Sequence, residues 1–310
     1  MHSIMKKNQL NRKIGHQRVL IVGCGDIGLR ILPLLRHSLF EQSDRLSGNR
    51  CRIFALTSNS DRCELLRSAG ATPIVGNLDE PASLAKLANI ATRIIYLAPP
   101  ASVGARDTRS RHLVALLSQP CHTVYISTSG VYGDCGGEFI DETRRVNPRN
   151  PRAVRRVDAE QVWRHWARRT KSVLTILRVP GIYSKDRLPI DRLKNGVPAL
   201  LSEQDVYTNH IHAQDLARLI VTALFNGSSN RLYNAVDDTC IKMGDYFDLV
   251  ADHFHLPRPP RLPREQLEKQ VSPMMLSFMS ESRRMSNARI KQEWGFRFLY
   301  PQVTDGFKSG

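Results

Sequence analysis

Short apolar runs and longer amphipathic stretches alternate along the first 180 residues. Runs rich in β-branched residues fall at 19–22, 52–57, 72–75, 93–98, 122–127 and 173–178. Helical periodicity fills the intervals near 26–37, 60–69, 82–89, 104–118 and 153–170. Continuous apolar runs predict strands buried on both faces, and helices between them predict a parallel sheet covered on both sides. Pro33 is discordant, since inside the first helix it removes a donor and is expected to kink or shorten it.

The pattern loosens after Val179. Pro180-Gly181 opens an irregular stretch to about residue 204. A helix is then predicted from Ala213 to Phe225 with Asp215 in its first turn, a strand at 231–235 and a helix at 243–255. A Pro-rich connector covers 257–263, and a last helix near 287–294 has Ser286 or Asn287 as cap and Gly295 as stop. The expected organisation is a basic disordered tail at 1–17, a nucleotide-binding domain at 18–179 and a smaller mixed substrate lobe at 180–310.

The first strand runs directly into Gly23-Cys24-Gly25-Asp26-Ile27-Gly28, a Gly-x-Gly-x-x-Gly spacing followed by helical periodicity. That context makes the spacing chemically meaningful. Gly23 permits a tight turn, Gly25 leaves no side chain between backbone and pyrophosphate, and Gly28 lets helix and strand pack closely. Asp26 and Ile27 would sit at the positive helix N-terminus beside the phosphates. The fold expected is a Rossmann-type doubly wound α/β sheet.

Composition narrows the class. Hydrophobic residues make up 41% of the chain and no run approaches a membrane span, so no membrane partner is expected. The six cysteines show no metal spacing and no disulfide framework, which implies no metal and a reducing, cytoplasmic compartment. Cys24 is read as a small filler within the glycine loop. The formal charge of +16 attracts anions, but the basic residues form no long run and no RNA-binding motif. A small, anionic substrate is expected rather than specific nucleic-acid binding.

The second strand ends in Thr57-Ser58-Asn59 with no carboxylate until Asp61. A carboxylate there would favour NAD by accepting from the ribose hydroxyls. Small polar groups with Arg62 nearby favour NADP, with NAD the less expected cofactor.

Residues 123–134, Thr-Val-Tyr-Ile-Ser-Thr-Ser-Gly-Val-Tyr-Gly-Asp, resemble the fifth strand of extended short-chain dehydrogenases/reductases, the NAD-dependent epimerase/dehydratase family. Gly76-Asn77-Leu78-Asp79, Tyr96-Leu97-Ala98-Pro99-Pro100, Leu177-Arg178-Val179-Pro180-Gly181-Ile182-Tyr183 and the segment from His210 to Ala217 resemble further family motifs in the right order. The resemblance implies that Asn77 and Leu78 lie beside adenine. It places Leu97, Ala98 and Pro99 along the ribose and nicotinamide, and gives Thr128 the hydroxyl that meets the reacting oxygen.

The family's base, a Tyr-x-x-x-Lys pair followed by an acid, is missing. With Glu160 as the acid, Arg156 stands at the Lys position and Arg152 at the Tyr position. Arg156 could bind ribose hydroxyls, but a guanidinium does not deprotonate in proteins, so Arg152 is no base. Tyr132 and Tyr183 are the candidate substitutes, with His210 and His212 further off. Two readings stand: an NADP-binding, oxidoreductase-like enzyme of unknown substrate, and a non-catalytic cofactor-binding sensor or scaffold.

Overall fold

A computed structural model describes residues 17–42 and 52–307. The expected basic tail and Cys51 lie outside them. Seven parallel strands form the central sheet: β1 (Arg18–Val22), β2 (Arg52–Thr57), β3 (Thr72–Val75), β4 (Arg93–Tyr96), β5 (His122–Thr128), β6 (Val173–Val179) and β7 (Arg231–Asn234). Their order is β7-β6-β5-β4-β1-β2-β3. The order reverses direction at β1 and β4, and in such sheets a crevice opens outside the carboxyl ends at that point. The Rossmann-type fold expected from the pattern is the fold observed.

Helices α1 (Asp26–Gln42), α2 (Cys63–Ser68), α3 (Thr108–Leu116) and α4 (Pro151–Thr170) connect successive strands. Helix α5 (Ala213–Asn226) packs along α1. Alternate residues of the same strands feed two cores. Val19 and Ile21 join Ile31, Leu35, Leu219 and Ile220 on one face. Leu20 and Val22 join Tyr96, Tyr125, Trp163 and Trp166 on the other. The indoles keep their donors satisfied: Trp163 donates to Ser110 Oγ at 3.1 Å and Trp166 to the Leu117 carbonyl at 2.8 Å.

Three expectations change. Helix α1 continues through Pro33 to Gln42. Pro33 lies on its exposed side, where water can satisfy the carbonyl deprived of a donor. The segment near 82–89 is a 3₁₀ helix, Pro81–Leu87, with proline in its first turn. The division at residue 180 is also not a clean one. α5 and β7 return to complete the sheet, β7 pairing with β6 from Arg231↔Thr175 to Asn234↔Arg178. The remaining C-terminal elements build a separate core around Tyr183, Leu193, Phe247, Val250 and Phe307. No helix among the described residues is long and apolar enough to cross a membrane.

One buried charge pair crosses the layers. Glu160 on α4 and Arg178 on β6 are each 5% exposed at the side chain and meet at 2.8 and 3.0 Å, while Ser127 of β5 donates to the same carboxylate at 2.6 Å. Breaking a buried pair leaves an uncompensated charge. Arg178→Met should therefore lower the unfolding free energy in urea by roughly 3–5 kcal/mol, and Glu160→Leu added to it should recover part of the loss.

Candidate functional site

The crevice at the strand ends contains a cavity of about 290 Å³ lined from β1, β2, β3, β4 and α3. Gly23, Gly25, Thr57, Ser58, Arg62, Asn77, Leu78, Ala98 and Pro99 all border it, so the glycine loop and three further segments line one cavity. Gly23 has φ +81°, and a Cβ there would lie 2.7 Å from the Ala98 nitrogen. Gly25 is different, because a Cβ there meets nothing within 4 Å. Packing within the fold therefore does not demand glycine at this position. A Cβ at Gly28 would lie 2.7 Å from Cys24 Sγ, so Gly28 makes room for that side chain. Burial pushes the Cys24 thiol up to about 11, which fits an inert filler.

Asp26 and Ile27 are not on the cavity wall. The Asp26 carboxylate turns to Arg30 at 3.0 Å and Arg187 at 3.1 Å. This leaves the first-turn N–H groups of α1 as donors at the loop. Asn59 also turns away: its Oδ1 accepts from Asp61 N at 2.8 Å, and its own N–H donates to Thr57 Oγ1 at 3.2 Å. Ser58 and Arg62 remain at the end of β2 with no side-chain partner among the described residues. Leu97 extends the sheet by donating its N–H to the Val22 carbonyl at 2.8 Å, and its side chain packs inward. Ala98 and Pro99 supply the wall instead.

Sequence reasoning missed Arg109. It lies on α3, lines the cavity, donates bidentately to Asp79 at 2.8 and 2.5 Å and reaches the Pro99 carbonyl at 3.1 Å. It holds the Asp79 carboxyl below the usual range. No local spacing points to it, because its partners are 30 and 10 residues away.

Thr128 ends β5, and its Oγ1 accepts from Gly130 N at 3.3 Å. Arg156 is buried on α4 and donates to Tyr125 OH at 3.1 Å and to the Ile126 carbonyl at 2.7 Å, with Ala98 at 3.4 Å. It ties β4 to β5, so the expectation of free ribose-binding donors is not met by this Nη1. Arg152 is exposed one turn earlier.

The substitute bases take structural roles. Tyr132 is buried, donates to Asn234 Oδ1 at 2.7 Å and stacks under Arg178, and burial raises its pKa. Tyr183 is buried in the C-terminal core, where desolvation also raises its pKa, and it donates to the Gln302 carbonyl at 3.3 Å. His212 caps α5, its Nδ1 accepting from Gln214 N at 3.2 Å. Asp215, read as a helix-end acid, accepts from Leu299 N at 3.0 Å and Tyr300 N at 2.8 Å and thereby fastens the C-terminal segment. No group of three metal-ligating side chains occurs among the described residues.

Residues 42–235, more than half of the chain, match the family described as the NAD dependent epimerase/dehydratase family. The chain belongs to that family. Solved structures of the same fold match nearly the whole chain. A functionally unknown conserved protein from Silicibacter pomeroyi DSS is 28% identical, with TM-score 0.76, covering 94% of this chain and 97% of that one. UDP-glucose 4-epimerase from Thermotoga maritima, solved with UDP-glucose, is 16% identical with TM-score 0.73, covering 94% and 96%. dTDP-glucose 4,6-dehydratase from Streptomyces venezuelae, solved with NAD and TYD, is 17% identical with TM-score 0.73, covering 94% of both chains. No functionally curated protein matches.

Two titrating groups in the C-terminal core have opposite effects on stability. Burial pushes Asp237 up to about 7, and pushes His210 down to about 4. Asp237 therefore favours the folded state below pH 4 and loses that contribution as pH rises to 7. His210 favours it above pH 6.5 and loses its contribution as pH falls to 4. Each is worth on the order of a few kcal/mol, so they largely offset. Asp237→Asn should unmask the histidine: its stability should fall more steeply than that of the unsubstituted protein between pH 7 and 4 in urea titrations.

Proposed function

We propose that this chain is a nicotinamide-dinucleotide-binding, oxidoreductase-like member of its family that prefers NADP(H) and takes a small anionic substrate. One observation carries the cofactor preference: Ser58 and Arg62 stand unpartnered on the cavity wall at the end of β2, where no carboxylate is present. A 2′-phosphate would satisfy both, whereas the carboxylate that would accept from both ribose hydroxyls is missing. The pyrophosphate would lie over Gly25 at the α1 N-terminus, and Asn77 and Leu78 would border adenine. Bound nicotinamide supplies or accepts a hydride. Thr128 would orient the substrate oxygen, but no tyrosine stands at the base position to move its proton. The cysteine pattern supports a cytoplasmic location. The spread of basic residues supports steering of anions rather than a specific nucleic-acid complex.

The second reading, a cofactor-binding sensor or scaffold without turnover, is favoured by Arg156. Its Nη1 is engaged with strand-end carbonyls and the Tyr125 hydroxyl.

Calorimetry should show NADPH binding more tightly than NADH, and Arg62→Gln should remove most of that difference. Gly25→Asp should abolish binding of both cofactors while the protein keeps its melting temperature, because the new side chain enters open space. Equal binding of NADPH and NADH by the unsubstituted protein would defeat the NADP assignment. Turnover of ordinary sugar nucleotides should be low, since general acid–base assistance is worth roughly 10²–10⁴-fold. Fast NADPH turnover that survives Thr128→Ala would place the chemistry elsewhere.

A further inference from the structure

Arg152 is a positive charge without a counter-charge. It is exposed on the first turn of α4, and no acid, carbonyl or hydroxyl among the described residues accepts from it. Arg156, one turn on, spends Nη1 on uncharged oxygens at the strand ends. Glu160, a further turn on, is held by Arg178 and Ser127. Crowding by neighbouring atoms and the like charge of Arg156 both work against the protonated form of Arg152.

This turn borders the end of β5. A Cβ at Gly130 would lie 3.8 Å from the Thr128 hydroxyl oxygen and 3.9 Å from Ala153 Cβ, so the start of α4 abuts the turn that carries Thr128. Arg145 and Arg149, on the segment leading into α4, are also exposed and without an acid partner among the described residues. A guanidinium presents a planar fork that matches a carboxylate or phosphate bidentately and keeps its proton while doing so. Its chemistry at this position is therefore recognition.

We propose that Arg152 is the specificity-determining residue of the crevice and recognises an oxyanion, carboxylate or phosphate, carried by the small-molecule substrate. The inference rests on reading the crevice beside Thr128 as the substrate site.

The test titrates malonate and inorganic phosphate into the full chain, with and without NADPH, at constant ionic strength and with calorimetric detection. Arg168→Gln removes an equal charge from the same helix about 24 Å away and serves as the control. At least one anion should bind, with affinity about 10-fold weaker in Arg152→Gln, partly kept in Arg152→Lys and unchanged in Arg168→Gln. Tighter malonate binding supports a carboxylate-bearing substrate, and tighter phosphate binding a phosphorylated one. Equal binding by Arg152→Gln and the unsubstituted protein, or no binding of either anion to the latter, overturns the proposal. NADPH binding is read separately: its absence defeats the cofactor reading, while the titration of the free protein still decides the role of Arg152.

Discussion

The Glu160 carboxylate sits beneath the strand ends between Arg178 of β6 and Ser127 of β5. Charges removed from water on both sides demand good geometry, and a helix that supplies one of them cannot rotate or slide without losing it. This contact sets the register of α4 against the sheet. It places Arg156 one turn earlier over the carbonyls of Ala98 and Ile126, and Arg152 one turn earlier again, exposed on the first turn of α4. Tyr132 stacks under the same Arg178 and passes the constraint to Asn234 at the end of β7. Asn234 N in turn donates to the buried Glu142 at 2.9 Å. One ion pair thus organises the floor of the site across three strands and a helix.

Around that floor the polar groups divide into committed and uncommitted sets. Asp26, Asp79, Tyr132 and His212 have partners that hold loops and helix ends in place. Arg156 commits its Nη1 in the same way. Ser58, Arg62 and Arg152 have none among the described residues, and all three lie at the carboxyl side of the sheet. Fold stability explains the first set. Nothing inside the chain orders the second set, whose side chains keep their rotamer freedom, and Arg152 also meets the like charge of Arg156.

Much of the architecture was legible in the chain itself. Buried strands flanked by helices leave continuous apolar runs, and Gly23, Gly25 and Gly28 mark a backbone conformation and an empty space that larger residues could not supply. These are local demands, so the parallel sheet, the glycine loop and the helix stop at Gly295, with φ +59°, follow from short stretches of residues. The absence of a carboxylate after Thr57 and of a tyrosine before Arg156 was equally plain, because a missing residue type needs no geometry.

Tertiary structure decided what local pattern cannot carry. Arg109 meets Asp79 across 30 residues, and Tyr132 meets Asn234 across 102. Such pairs depend on where the sheet brings distant segments. Asn59 read as a cofactor ligand from its place after β2, yet the turn uses its side chain for Asp61 N. Tyr183 read as a base from its place after β6, yet burial among the C-terminal elements closes it off. The chain by itself determined which chemistry was present or missing; only the packing of distant segments on one another decided which of those groups already had partners.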